Sequence, residues 1–157
     1  MLDLAAVQLR PFGLADAVAV EPWLNGPGLS LPAGNLRHEW PQRLLADARI
    51  VALVGVIADL RVGLVRLDCG PDLVAEVTLV VAPGCRRRGC GSAMFQAALH
   101  QARRLGLRQL VVNVDLMNAP ALGFFQAQGF EQDGLVGNRL RLSRLVHQSD
   151  RAEPLDV

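Results

Sequence analysis

Glu76-Val77-Thr78-Leu79-Val80-Val81-Ala82-Pro83-Gly84-Cys85-Arg86-Arg87-Arg88-Gly89-Cys90-Gly91-Ser92 is the stretch on which the fold turns. Val77 to Val81 is rich in β-branched residues, which suit a pleated, buried surface, and predicts a strand. Pro83 and Gly84 stop it. Beyond Gly91 the hydrophobic period changes. Phe95, Ala98, Leu99, Ala102 and Leu105 fall on one helical face, with Gln96, Arg103 and Arg104 off it. Gly106 supplies a C-terminal stop. The segment therefore reads as strand, basic glycine loop, helix.

A helix start leaves its first amide N–H groups without intrahelical partners and carries the positive end of the macrodipole. Glycines at 89 and 91 let a ligand approach the main chain closely. Arg86, Arg87 and Arg88 add fixed charge and forked donors. Together these features describe a phosphate or pyrophosphate cradle. The same residues also suit a plain strand-to-helix turn, with glycine for tightness and arginine for solubility. The loop is not a Walker loop, because no Gly-Lys-Ser/Thr follows a first glycine at the required spacing. Nor is it the dinucleotide fingerprint, since the third glycine and the downstream acid are missing.

Arg86-x-x-Gly89-x-Gly91 resembles the acyl-CoA loop, Q/R-x-x-G-x-G/A, of the GNAT N-acetyltransferase superfamily. Val81-Ala82-Pro83 before it and Ser92-Ala93-Met94 after it are similar to that family too. A second block, Asn118-x-x-Ala121-x-x-x-Phe125-x-x-x-Gly129-Phe130, resembles the family's N-x-x-A-x-x-x-Y-x-x-x-G-F. The two motifs stand in the family's order and at its usual separation. They cover residues 73 to 131; Leu9-Arg10-Pro11-Phe12 followed by Ala15-Asp16-Ala17 also looks like the usual opening of such chains.

The chain of 157 residues suits one domain with a sizeable core. With 51% hydrophobic and 20% charged residues, it is not of disordered composition. A net charge of +1 argues against a general polyanion binder and hence against a nucleic-acid partner. Cys69, Cys85 and Cys90 are an odd number without paired spacing, which fits a reducing compartment; no metal site is expected from them. No signal-peptide pattern and no membrane-length apolar run is visible, so the expectation is cytoplasmic, with no membrane partner.

In chain order, residues 7–10 predict a first strand and a turn at Pro11-Phe12-Gly13. A short helix follows, with Asp16 near its start, where its charge suits the dipole. Pro22 and Gly26-Pro27-Gly28 open an irregular segment. A second helix starts at Asn35 or at Trp40-Pro41 and ends near Asp47. Residues 49–57 and 60–67 are strands with Ala58-Asp59 at the tip between them, and Cys69 to Asp72 turn into the next strand. Gln109 to Val114, a helix after Asn118, a strand from Phe130 and a strand from Leu140 to Val146 complete the pattern. Residues 1–146 form the domain, and 147–157 are a polar tail expected to fray.

Composition alone says α/β or α+β. The resemblance implies more: one GNAT-like domain in the order β-α-α-β-β-β-α-β-α-β-β. That is a mixed, strongly twisted sheet of about seven strands with about four helices on both faces. It also implies acetyl-CoA, or another acyl-CoA, as cofactor. The pyrophosphate would lie on the amides from Arg86 through Arg87, Arg88, Gly89, Cys90 and Gly91 to Ser92. The pantetheine arm would run beside the main chain of Leu79, Val80 and Val81. Asn118 would contact the arm, cap the helix behind it, or do both.

Phe125 departs from the family pattern, which has Tyr there as a proposed acid for the leaving thiolate. Phe has no proton to give, and the chain contains no Tyr. A thiol of pKa about 8.5 can still leave near neutral pH without an acid, and the ring can pack against the thioester. Glu76 matches the position that serves as general base in some members; its alternative is an exposed or salt-bridged strand-end carboxylate. His38, whose ordinary pKa suits the task, is a second candidate base, or a plain residue of a helix-start region. Asn113 and Asp115, at the end of the fifth strand, face the acceptor cleft or simply cap it. Trp23, Trp40 and the Gly/Pro segment between them would wall the acceptor cleft if the family layout holds; each Trp equally suits the core. The implied reaction is acyl transfer to a primary amine of a small molecule or protein by direct attack in a ternary complex. The alternative, motivated by Phe125, is a non-catalytic acyl-CoA-binding or regulatory domain. Open sheet edges leave room for a homodimer.

Overall fold

The computed structural model describes residues 3–25, 39–86 and 89–147. His38, Asn35, Arg87, Arg88 and the tail beyond residue 147 lie outside the described residues. The elements are β1 (Gln8–Pro11), α1 (Ala17–Val20), α2 (Trp40–Ala46), β2 (Ile50–Ile57), β3 (Leu60–Cys69), β4 (Val74–Val81), α3 (Cys90–Arg104), β5 (Gln109–Asp115), α4 (Ala119–Ala127), β6 (Glu131–Val136) and β7 (Arg139–Leu145). Pro41 sits in the first turn of α2, so the second helix begins at Trp40.

The strands form one seven-stranded sheet in the order β1-β2-β3-β4-β5-β7-β6. Every neighbouring pair is antiparallel except β4 and β5, which α3 joins as a parallel crossover. The last hairpin folds back so that β7, not β6, lies beside β5.

One face of the sheet is buried by α3 and α4, with Met94, Phe95, Leu99, Phe125, Leu67, Leu110 and Leu142 in its core. The other face is partly covered by α1 and α2 through Val20, Trp40, Leu44, Val54, Leu64 and Val80. The close approach of α3 has a local cause. Gly55 and Gly63 are ladder partners on β2 and β3. A Cβ on Gly63 would lie 2.3 Å from Met94 Sδ and 2.5 Å from the Val80 carbonyl oxygen. The missing side chains make the hollow that Met94 fills.

Both long helices end as their sequence directs. Gly106 has φ +75, with Leu107 N–H donating to Ala102 O and Gly106 N–H to Arg103 O. Gly129 has φ +90, and Phe130 and Gly129 repeat the same pair of bonds to Phe125 O and Gln126 O.

Candidate active site

The site begins where two strands part. β4 and β5 pair at only three positions, Val74 with Gln109, Ala75 with Leu110 and Glu76 with Val111. Beyond that rung β4 runs on to Val81, still paired with β3 up to Gly63. β5 runs on to Asp115, still paired with β7 up to Arg139. Each strand keeps its outer neighbour and loses its inner one, so a fork opens between them.

The direction of the main-chain groups along β4 follows from two hydrogen bonds. Arg108 N–H donates to Leu73 O at 2.7 Å, and Ala82 N–H donates to Val62 O at 2.8 Å. Residue 73 therefore faces β5 and residue 82 faces β3. Alternation then turns the main chain of Val77, Leu79 and Val81 into the fork. The Val81 carbonyl accepts from Arg86 Nε at 3.3 Å, which ties the loop arginine to the fork's rim. Val80, expected beside the arm, pairs with Leu64, turns its main-chain groups to β3, and buries its side chain under α1 and α2. Among the three expected positions, Leu79 and Val81 present their amides to the fork and Val80 does not.

The loop leads from the fork to α3. Arg86 N–H donates to Pro83 O at 3.4 Å within a 3-10 turn, so this amide is already engaged, though weakly. Gly89 is the N-cap of α3 with φ +82. The conformation calls for glycine, and a Cβ there would lie 2.9 Å from Leu4 Cδ1, so that methyl would have to shift. The first bond inside α3 runs from Ala93 N–H to Gly89 O at 3.1 Å. The amides of Gly91 and Ser92 precede it and have no intrahelical acceptor. Cys90, between loop and helix, buries its side chain completely. Gly91 is tight for a second reason: its Cβ would lie 3.1 Å from the Phe124 ring and 3.6 Å from Val81 Cγ2. Phe124 thus packs against the first turn of α3, a contact that no motif pointed to. The Ser92 hydroxyl accepts from Gln128 Nε2 at 2.9 Å, which couples the cradle to the end of α4.

Asn118 caps α4: its Oδ1 accepts from Ala121 N–H at 3.3 Å. Phe125 is buried, with its ring edge-on to Phe124 at 5.1 Å and Phe130 at 5.3 Å. Glu76 is exposed at the last rung of the fork, and its Oε2 accepts from Asn113 Nδ2 at 2.9 Å. Asp115 Oδ1 accepts from Met117 N–H at 2.8 Å and so folds the loop after β5. Trp40 is core: its ring packs at a tilt against Phe12, centroids 5.6 Å apart, and it donates to Glu21 Oε1 at 2.8 Å. Trp23 is only partly buried.

These parts make a continuous track, an unpaired strand edge that ends at a glycine-started helix. A profile of the Acetyltransferase (GNAT) family matches residues 18–130. The chain belongs to this family. GNAT acetyltransferases take their acyl group from acetyl-CoA. YwnH of Bacillus subtilis, named provisionally as a phosphinothricin acetyltransferase, is 39% identical over 61 residues, covering 39% of this chain and 37% of that protein. The mycothiol acetyltransferase of Geodermatophilus obscurus is 38% identical over 64 residues, 40% of this chain and 21% of that one. The chain thus spans well under half the length of either relative. In fold it is similar to the spermidine N-acetyltransferase of Vibrio cholerae solved with CoA and spermine. The TM-score is 0.76 at 18% identity, covering 90% of this chain and 96% of that one.

Among the described residues two charged side chains are buried, Asp16, which the sequence marked as a helix-start acid, and Arg144, which it did not single out. Asp16 is 2% exposed. It accepts from Arg10 at 2.7 and 2.9 Å, from Arg61 Nε at 2.8 Å and from Gly13 N–H at 2.8 Å. The Arg10 guanidinium, followed by the Gly13 amide and Arg61, holds its carboxyl far below the usual carboxylate range against the opposing effect of burial. Arg144 is 3% exposed, donates to Gln128 O at 2.7 Å and lies over the Phe95 ring at 5.9 Å. It stands in an apolar slot, since Leu140, Leu142, Arg144 and Val146 share one face. That broken alternation was the available signal.

Proposed function

We propose that the chain transfers an acyl group, acetyl in the first instance, from acyl-CoA to a primary amine of a small molecule or protein by direct attack in a ternary complex. The observation that carries this reading is the fork: a β4 edge that no described strand covers on the β5 side beyond Glu76, running into amides at Gly91 and Ser92. The residues present fit a thioester carrier. Leu79 and Val81 offer strand-like main-chain contacts to an extended arm. Gly89, Gly91 and Ser92, with Arg86 at the rim, suit a diphosphate. Asn118 lies at the start of α4 on the β5 side of the fork.

When bound, acetyl-CoA supplies an activated acyl group and a thiolate that can leave. The protein's part is positioning and charge. The Leu79 N–H points into the fork, where it can donate to a developing oxyanion, a contribution of about 3 kcal/mol when well aimed. Glu76 takes the ammonium proton of the acceptor, directly or through one water, and frees the lone pair for attack. Phe125 contributes apolar packing and no proton, so the proton for the thiolate comes from solvent. The open sheet edges give limited support to a homodimer: β1 ends in Pro11, and β6 carries a register shift between Gln132 and Gly134 with Glu131 and Asp133 around it.

Isothermal titration with acetyl-CoA is the first test. Micromolar binding that weakens at least tenfold in Arg86→Ala and Gly89→Ala is the expected result; no binding removes the reading. Free-thiol release is then measured over an amine panel that includes spermidine, lysine peptides and aminated small metabolites. Tight cofactor binding without turnover on any amine would leave a binding domain instead.

A further inference from the structure

We propose that Asn113 is a positioning residue for Glu76. Its neutral amide fixes one carboxylate oxygen across the mouth of the fork and leaves the other to the acceptor amine. This rests on the general-base reading of Glu76 given above.

The ladder between β4 and β5 ends at Glu76 and Val111. Had it continued, Asn113 would stand opposite Thr78. Instead the Asn113 amide reaches back and donates from Nδ2 to Glu76 Oε2 at 2.9 Å. The bond spans the two strands at the point where they begin to part. An amide donor orients a carboxylate without cancelling its charge, which a lysine or arginine at the same place would do. With Oε2 held, Oε1 keeps its lone pairs for an ammonium or a bridging water.

Four charged neighbours of the pair are engaged elsewhere, and Arg139 lies farther along β7, opposite Asp115. Asp68, opposite Glu76 on β3, pairs with Arg66 at 3.5 Å. Arg141, opposite Asn113 on β7, pairs with Asp133 on β6 at 2.6 Å. Asp115, two residues beyond Asn113, holds the Met117 amide. Glu21, in the turn that packs against β4, accepts from Trp40. The Asn113 amide is therefore the described contact that sets where the Glu76 carboxylate points.

The test uses the full chain and the best amine of the panel, with the variants Glu76→Gln, Asn113→Ala and Asn113→Asp. Asn113→Ala is expected to lower kcat about tenfold, with KM for acetyl-CoA within about twofold of the parent. The acidic limb of its kcat profile moves to higher pH. Asn113→Asp moves that limb further, because a second carboxylate disfavours the charged form. Carbon-13 NMR titration of the Glu76 carboxyl, which needs no acceptor, follows the same order of midpoints. An unmoved limb and an unmoved midpoint in both Asn113 variants overturn the proposal, even if thermal stability falls, since that result describes a staple across the strands. If Glu76→Gln keeps parental turnover, it is the general-base reading that fails. If Glu76→Gln is inactive while the Asn113 variants titrate like the parent, the base stands and the positioning role falls.

Discussion

Asp16 shows how much one buried carboxylate can organise. It joins β1, the turn after it and the start of β3 through Arg10, Gly13 and Arg61. Removing its charge strands two guanidinium groups, one of them about two-thirds buried. Asp16→Asn is therefore expected to cost about 3–5 kcal/mol in urea unfolding near neutral pH. Because folding lowers its proton affinity, its stabilisation is complete above the unfolded value near pH 4 and fades as pH falls below that. The parent should lose stability between about pH 4 and lower values more steeply than Asp16→Asn does, which denaturation at a series of pH values measures. The sequence pointed to a helix-start acid at this position but not to its partners, because Arg61 comes from a strand 45 residues away. Phe125 makes a second case. Phe125→Tyr restores the hydroxyl of the family pattern inside a ring cluster, at a cost of about 1–3 kcal/mol if the hydroxyl finds no partner. kcat is expected to stay within about tenfold, because the leaving thiol tolerates departure without an acid. A rise of a hundredfold or more in thiol release would show that an acid was the missing part.

At the scale of elements, α3 is placed by what strands and helix leave out. The Ala-rich face of α3 was evident from its period, and the glycine stop at Gly106 likewise. That Gly63 exists for Met94 was not, since the two belong to different elements and meet only in the packed core. Gly63→Ala should destabilise by about 3 kcal/mol or more, because its Cβ meets the helix and the sheet together. Adding Met94→Ala should not rescue it: the Val80 carbonyl oxygen still lies 2.5 Å from the new methyl. Thermal melts of the single and double variants decide this. The motif glycines also divide in an instructive way. Gly89 is called for by its φ, whereas Gly91 has an ordinary φ and is closely approached by Phe124 from α4. A consensus loop thus encodes helix packing as well as room for a ligand.

For the whole molecule, the fork is the consequential feature. Ligand binding to it should raise stability by linkage, about 2.7 kcal/mol at a hundredfold excess over Kd. For a chain of 157 residues that is roughly 5–10 °C in Tm. Hydrogen exchange should slow selectively at the amides of Val77, Leu79, Gly91 and Ser92; uniform slowing, or none at these four, would contradict the track described for the cofactor. Among the described residues no helix is long and apolar enough to cross a membrane. Period, β-branching and glycine-proline punctuation gave the strand-loop-helix unit, most element positions and, through two short motifs, the family. These are local signals, fixed by side-chain chemistry within a dozen or so neighbours along the chain. The strand order, the return of β7 beside β5 and the parting of β4 from β5 came only with the tertiary structure. So did the buried partners of Asp16 and Arg144 and the reach of Asn113 to Glu76. Each of these depends on which distant segments share an edge or a cavity, and pairing between segments far apart in sequence leaves no period in either of them.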